Sequence, residues 1–186
     1  RKVLNSLLDF TGIPHEMSHK VFRVLDKLDK IGIDGTTQEL TVGRVDASGD
    51  KIPGMGLSRD QVDRIKKFLA IPQGSRKEVL KALADLFSKV DSAREAVEAL
   101  AFICDSLDTL SIPEENVALD LSIARGLDYY TGTVFAAQLT DAPEFGSIFG
   151  GGRYDGLVER FLGRRIPAVG ASIGVDRLFA AMQKLG

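Results

Sequence analysis

Residues 124–135, "ARGLDYYTGTVF", pack an arginine, an aspartate, two tyrosines and two glycines into one turn and strand. Tyrosine, threonine, valine and phenylalanine are the residues a pleated strand favours, and the glycines punctuate it. Alternation along a strand sends Tyr129 and Tyr130 to opposite faces, so only one of them can point into a given pocket. A tyrosine pair in a strand also serves simply as core plus rim. Arg125 sits beside Gly126 at the end of an apolar run, a setting that suits an anion clamp better than a solvated charge.

Working outward, the flanking segments predict a sheet. Upstream, "VALDLSIA" (117–124) alternates apolar and polar residues at period two, and downstream "YYTGTVFAAQL" continues as a strand. "SIFGGGRYDGL" (147–157) follows, then "PAVGASIGVDRLFAAMQKL", a short apolar strand running into an amphipathic helix. Strands joined by turns, without alternating crossover helices, predict an antiparallel sheet.

Residues 15 to about 110 have a different texture, helix after helix. Met17, Val21, Val24, Leu25, Leu28 and Ile31 recur at three and four, with Gly32 placed to stop the helix. Ser58 precedes "RDQVDRIKKFLA" with Gln61 at the capping-box position, and "SRKE" from Ser75 is a second capping box. Ala93, Ala96, Val97, Leu100, Ile103 and Leu107 mark a further helix, and residues 1–12 form a short one ending at Gly12. "VDASGDKIPGMG" (45–56) is glycine-rich and reads as a mobile loop.

The bulk numbers bound the class. At 186 residues with 44% hydrophobic and 27% charged residues, the chain has the composition of an ordinary globular protein. A net charge of -2 argues against a surface that coats nucleic acid throughout, while allowing a local basic patch. The single cysteine, Cys104, lies among apolar residues at helical spacing and reads as packed and inert in a reducing compartment. No apolar run reaches membrane-span length, and no signal peptide is visible. The chain opens on Arg1 rather than Met, so it reads as a piece of something longer.

"HEMSH", His15 to His19, spells the zinc-helix pattern H-E-x-x-H with the only two histidines present. Pro14 places it in the first turn of a helix, whereas zinc ligands sit in mid-helix, and no third histidine exists. Glu39 is the one acid at a suitable distance along the chain, and nothing around it is built for a metal. The expectation is therefore no zinc, with Glu16 simply favourable near the helix start.

Two further motifs carry chemistry. "GGGRYDGL" (150–157) allows close backbone approach to a ligand; Arg153 and Asp155 can pair with each other, and Tyr154 can hydrogen-bond a ligand. "GASIGVDRL" (170–178) places Gly170 and Gly174 on a strand-to-helix link with Arg177 in the helix's first turn. An arginine there opposes the helix dipole, which points to a negatively charged ligand.

In order and spacing, these motifs make the chain resemble a histidyl-tRNA synthetase, a class II aminoacyl-tRNA synthetase. "RGLDYYTG" resembles that family's first histidine signature, "GGGRYDGL" its second, and "GASIGVDRL" class II motif 3. "DKLDK" and the helices around it resemble the insertion domain of the eukaryotic-like branch. The implied fold is α+β, part of a class II antiparallel-sheet catalytic domain with an all-helical insertion. Its implied division is a catalytic-domain segment 1–12, an insertion 13–112 and a catalytic-domain segment 113–186.

The resemblance implies an ATP-dependent ligase that activates histidine to histidyl-adenylate and transfers it to its tRNA in the cytoplasm, as a homodimer. ATP would enter with magnesium. Arg125 would be catalytic, contacting both the substrate carboxylate and the α-phosphate. Tyr129, Tyr130, Gly151, Gly152 and Tyr154 would line the histidine pocket, while Gly174 and Arg177 would serve ATP. Ala136 stands where the family commonly has a glutamate, and Asp176 replaces the glutamate before the motif 3 arginine.

Motifs 1 and 2 of the family would precede Arg1 and an anticodon-binding domain would follow Gly186, so the chain alone is expected to be inactive. The rival reading is a non-catalytic synthetase-like paralogue such as the regulatory subunit of ATP phosphoribosyltransferase. A third is an RNA-binding helical insert using Arg64, Lys66, Lys67, Arg76, Lys77 and Lys81, although interspersed acids make a solvated face equally suitable.

Overall fold

A computed structural model describes residues 1–121, 123 and 129–186. It contains two compact units, Lys2–Arg125, and Gly126–Gly186 together with Arg1.

The first unit is mainly helical. Helix α1 (Lys2–Thr11) stops at Gly12, whose φ of +67° lies in the left-handed region that favours glycine. A short 3₁₀ turn at His15–Met17 follows Pro14, and α2 (Ser18–Leu25) begins only after it. The expected single helix through Ile31 is thus broken: α2 caps at Asp26, and α3 (Leu28–Leu40) consists of two helical segments separated at Gly32, whose φ of +66° and ψ of 179° are not helical. Gly32 therefore ends one helical segment, as expected, and a second begins directly after it.

Both capping boxes form. The Ser58 hydroxyl accepts from the Gln61 amide and the Gln61 side chain accepts from the Ser58 amide, opening α4 (Arg59–Leu69). Ser75 and Glu78 do the same for α5 (Arg76–Leu86). The long α6 (Asp91–Thr109) completes the set.

The apolar stripes converge on one core. Leu7 and Leu8 of α1, Ile65 and Phe68 of α4, and Val79 and Leu83 of α5 are all buried. Phe87, at the end of α5, stacks on Phe68 at 6.0 Å and meets Phe10 edge-on at 5.6 Å. Each such side chain contributes roughly 1.5–3 kcal/mol by leaving water. Cys104 is buried here as expected, and burial pushes its thiol pKa up.

This unit is not all-helical, and residues 45–56 are not a plain loop. Strands β1 (Gly43–Val45) and β2 (Lys51–Pro53) pair antiparallel across that stretch. At the tip, the Asp46 carboxylate accepts the amides of Ser48 and Asp50, each at 2.9 Å. The base is closed by glycines: a Cβ on Gly54 would overlap the Thr41 carbonyl, and one on Gly43, at φ +93°, would lie 2.7 Å from the Gly54 amide nitrogen. Beyond the hairpin, Met55, Gly56 and Leu57 donate their amides back to the carbonyls of Glu39, Thr41 and Leu40. Glu39 itself is buried, and its carboxylate accepts from Lys27 Nζ at 2.9 Å and Arg44 Nε at 2.9 Å.

Residues 117–120, expected to open a strand, have no regular secondary structure. Leu119 and Leu121 pack instead against the helical core, so their period-two pattern reflects burial without strand pairing.

In the second unit, β3 (Val134–Gln138), β4 (Ser147–Arg153) and β5 (Val169–Ile173) form one antiparallel sheet in the order β3-β4-β5. The register pairs Phe135 with Gly151 and Gly151 with Ala171. Helix α7 (Asp155–Leu162) leaves β4, and α8 (Val175–Leu185) follows β5 directly. The mixed helix and antiparallel-sheet class therefore holds.

Candidate active site

The sheet unit gathers all three tyrosines of the chain. Ring centroids of Tyr129 and Tyr130 lie 4.6 Å apart, Tyr154 meets Tyr129 edge-on at 5.9 Å, and Tyr130 and Tyr154 are 6.5 Å apart. The expectation that Tyr129 and Tyr130 point to opposite faces is wrong. β3 begins only at Val134, so the pair precedes the pleat and is not bound by its alternation. Burial, reinforced by a hydrogen bond with Tyr129, raises the Tyr130 phenol pKa.

The glycines of β4 make this convergence possible. Both Gly151 and Gly152 are buried. A Cβ on Gly152 would come within 2.7 Å of the Thr133 carbonyl and 2.8 Å of the Tyr130 ring. A Cβ on Gly151 would overlap the Gly170 carbonyl and reach within 2.8 Å of the Phe135 ring. The space a side chain would need is thus taken by the protein's own strand and rings. Gly170, a strand residue and not part of the link to α8, lies beneath Tyr154: a Cβ there would overlap the phenol oxygen.

Tyr154 is held at the junction of β4 and α7. Its amide donates to the Ala168 carbonyl at 2.9 Å, and the Ala168 amide donates to the Asp155 carboxylate at 3.1 Å. Arg153 and Asp155 do pair, with Arg153 Nε 3.0 Å from both carboxylate oxygens. The Ala168 amide, first, and Arg153 hold the Asp155 carboxyl below its usual range against the opposing effect of burial. Thr131 accepts the Asp155 amide through its hydroxyl at 3.1 Å and donates its own amide to the Arg153 carbonyl at 2.8 Å. Sequence reasoning missed Thr131 and Ala168, because each bonds a backbone group or a residue distant in sequence that no local pattern announces.

Gly174 and Arg177 lie at the opposite end of β4. The Gly174 amide donates to the Ile148 carbonyl at 2.8 Å, fixing the start of α8. Arg177 is exposed in the first turn, and its Nη1 donates to the Ser147 carbonyl at 2.9 Å. The guanidinium is thus docked on the strand edge, with its remaining donors available to an anion. Arg125 lies outside the described residues.

Residues 1–178 match the family model described as histidyl-tRNA synthetase. The chain belongs to the histidyl-tRNA synthetase family. It is 44% identical to a histidine–tRNA ligase of Paracoccus denitrificans, over 100% of this chain and 40% of that protein. It is 38% identical to one from Clostridium tetani, over 99% of this chain and 38% of that protein. A crystal structure of histidyl-tRNA synthetase from Nostoc sp. PCC 7120 superposes with a TM-score of 0.83 at 33% identity, covering 100% of this chain and 41% of that one. The chain thus spans about two fifths of the length of the family members it matches.

The zinc-like pentapeptide of this family member has a structural use. His15 Nε2 lies 2.7 Å from the Asp9 carboxylate, and Glu39, the acid considered as a third ligand, is occupied by Lys27 and Arg44. No helix among the described residues is long and apolar enough to cross a membrane.

Proposed function

We propose that this chain is the part of a histidine–tRNA ligase that carries the histidine pocket and one wall of the ATP site. The observation that carries the reading is the convergence of Tyr129, Tyr130 and Tyr154 on the glycine-rich strand β4, with Arg177 docked at its other end. Aromatic walls with phenolic hydroxyls suit an imidazole, which needs both ring contact and hydrogen bonding. Gly151 and Gly152 serve by letting the rings and the neighbouring strand close in.

In the reaction, the histidine carboxylate oxygen attacks the α-phosphorus of ATP and pyrophosphate leaves. The mixed anhydride then passes the histidyl group to the 3′ end of its tRNA. Arg125 bridges the carboxylate and the α-phosphate, two anions that must be brought together, and Arg177 holds the nucleotide with Gly174 giving it room. Magnesium enters as part of the ATP substrate. The working enzyme is a cytoplasmic homodimer. Residues 1–12 and 113–186 belong to its catalytic domain and 13–112 to the insertion, with α1 packed against the insertion helices α4 and α6.

Histidine-dependent ATP–pyrophosphate exchange tests this reading. A protein of the relatives' full length is expected to exchange, and the 186-residue chain alone is not, because catalysis needs a complete set of donors held in place beforehand. A full-length protein that binds histidine but neither binds ATP nor exchanges would be a regulatory paralogue, and the proposal would fall.

A further inference from the structure

We propose that Asp155 is a positioning residue for the tyrosine cluster: by accepting the Ala168 amide, it holds Tyr154 over Gly170 and against Tyr129 and Tyr130. Arg153 pairs with Val169, so Tyr154 and Ala168 are the next antiparallel partners. The Tyr154 amide still donates to the Ala168 carbonyl. The return bond is not made: the chain turns into α7 at Tyr154, and its carbonyl accepts the Leu157 amide at 3.0 Å. The Ala168 amide has therefore lost its ladder acceptor, and the Asp155 carboxylate supplies one at 3.1 Å.

That substitution fixes a ring. Tyr154 is the residue at which strand becomes helix, and its phenol lies so close to Gly170 that no Cβ fits between them. A small rotation at the junction would therefore carry the ring off β5 and away from its neighbours. Asp155 also ties in the other two rings, since its amide is accepted by Thr131, directly after Tyr130. One residue thus bonds to both segments that bear tyrosines.

The amide bond matters more than the ion pair. The Asp155 side chain is 7% exposed and its bond to the Ala168 amide is partly buried, so water replaces that acceptor only in part and losing it is costly. Arg153 is 49% exposed, and ion pairs in such settings contribute little. An asparagine, which keeps an oxygen for the Ala168 amide, should therefore suffice where an alanine does not.

The inference rests on the histidine-pocket reading for its functional meaning, but its test need not. The chain has three tyrosines and no tryptophan, so its near-ultraviolet circular dichroism in the tyrosine band and its tyrosine emission report on this cluster alone. Asp155→Ala, with its far-ultraviolet spectrum retained, is expected to lose most of the tyrosine band and to become open to acrylamide quenching. Asp155→Asn is expected to keep both signals. A folded Asp155→Ala with wild-type tyrosine signals overturns the proposal, as does an Asp155→Asn that loses them, folded or not. If Asp155→Ala does not fold, Asp155→Asn decides alone: a wild-type band sustains the proposal. Titration with histidine, followed by tyrosine emission, separates the two readings. Disordered rings in Asp155→Ala, with no histidine response from the wild-type chain, leave the positioning role standing and remove the pocket. A histidine response undiminished in Asp155→Ala overturns the positioning role.

Discussion

Replacing Glu39 tests whether a buried carboxylate fastens the β1–β2 hairpin to the helices. Its side chain is nearly inaccessible, and it accepts from both Lys27 and Arg44 at 2.9 Å. Arg44 is 17% exposed and Lys27 36%, so the two halves differ in value. Removing one partner from a buried pair costs about 3–5 kcal/mol, because the other charge is left without compensation. The Lys27 half resembles a surface pair, worth roughly 0.2–1 kcal/mol. Since Arg44 retains some water, Glu39→Ala is expected to cost about 3 kcal/mol, at the low end of the buried range. Glu39→Gln keeps the shape and one acceptor but loses charge assistance, which roughly doubles such bonds, so about 1.5 kcal/mol is expected.

Urea unfolding followed by the helical far-ultraviolet signal measures both values. The pH dependence supplies a second check. Burial opposes the Glu39 charge, but the bonds from Lys27 and Arg44 outweigh it and leave the folded-state pKa below the ordinary value. A group depressed in this way contributes stability that is complete above its unfolded pKa, about 4.3, and is lost as pH falls through the folded value. The gap between wild type and Glu39→Gln should therefore close below that range. A Glu39→Gln within about 0.5 kcal/mol of wild type at neutral pH, the scatter of an ordinary surface change, would refute the reasoning. So would a gap that persists unchanged into acid.

Five other outcomes are expected. In a full-length enzyme, Arg125→Ala and Arg125→Lys should each slow single-turnover adenylate formation by about 10²–10³, with a much smaller effect on calorimetric histidine binding. Gly151→Ala should destabilise the sheet unit by about 1–3 kcal/mol in denaturant titrations, since its Cβ meets backbone. Gly170→Ala meets the end of a flexible side chain, so it should cost less stability and appear chiefly as an altered tyrosine band. Ser58→Ala and Ser75→Ala should each lower stability by about 1 kcal/mol, additively in the double variant because the caps share no partner. The 186-residue chain should self-associate in sedimentation at high concentration, since Val169, Ile173, Phe179 and Met182 are all exposed on β5 and α8; a monomer throughout would count against that patch being sticky.

What was legible in the sequence followed rules that act within a few residues. Ser58 with Gln61 and Ser75 with Glu78 announce helix starts because the bonds they make are local. The apolar stripes of α4, α5 and α6 identify their buried faces for the same reason. What was not legible depended on where the chain goes next. Gly32 does stop a helical segment, but the sequence does not announce that another starts at once, where Thr36, Glu39 and Leu40 are buried. The glycines of residues 45–56 looked like slack, and two of those at or beside this stretch, Gly43 and Gly54, instead permit a backbone contact that only the folded hairpin brings about. Tyr129 and Tyr130 were read against a pleat that begins four residues after Tyr130, at Val134. The candidate site was found by its motifs, while the bonds holding it run between segments far apart in sequence: the Ala168 amide to the Asp155 carboxylate, and the Asp155 amide to the Thr131 hydroxyl.

The glycine closure at the foot of the hairpin gives its two ends different tolerance to change. At the foot, Gly43 and Gly54 leave no room for a methyl group, so even alanine there must push apart the two backbone segments that enter and leave the hairpin. At the tip, Ala47, Ser48 and Gly49 are exposed, and the turn is closed by bonds within residues 46–50: the Asp46 carboxylate accepts the Ser48 and Asp50 amides, the Gly49 amide donates to the Asp46 carbonyl, and the Asp46 amide donates to the Asp50 carbonyl. Extra residues spliced between Ser48 and Gly49 would extend outward at a loop-closure cost that grows only slowly with length. The hairpin is therefore a ready-made graft point, where a peptide tag or a fluorophore-bearing cysteine could be carried by the helical unit without touching its packing.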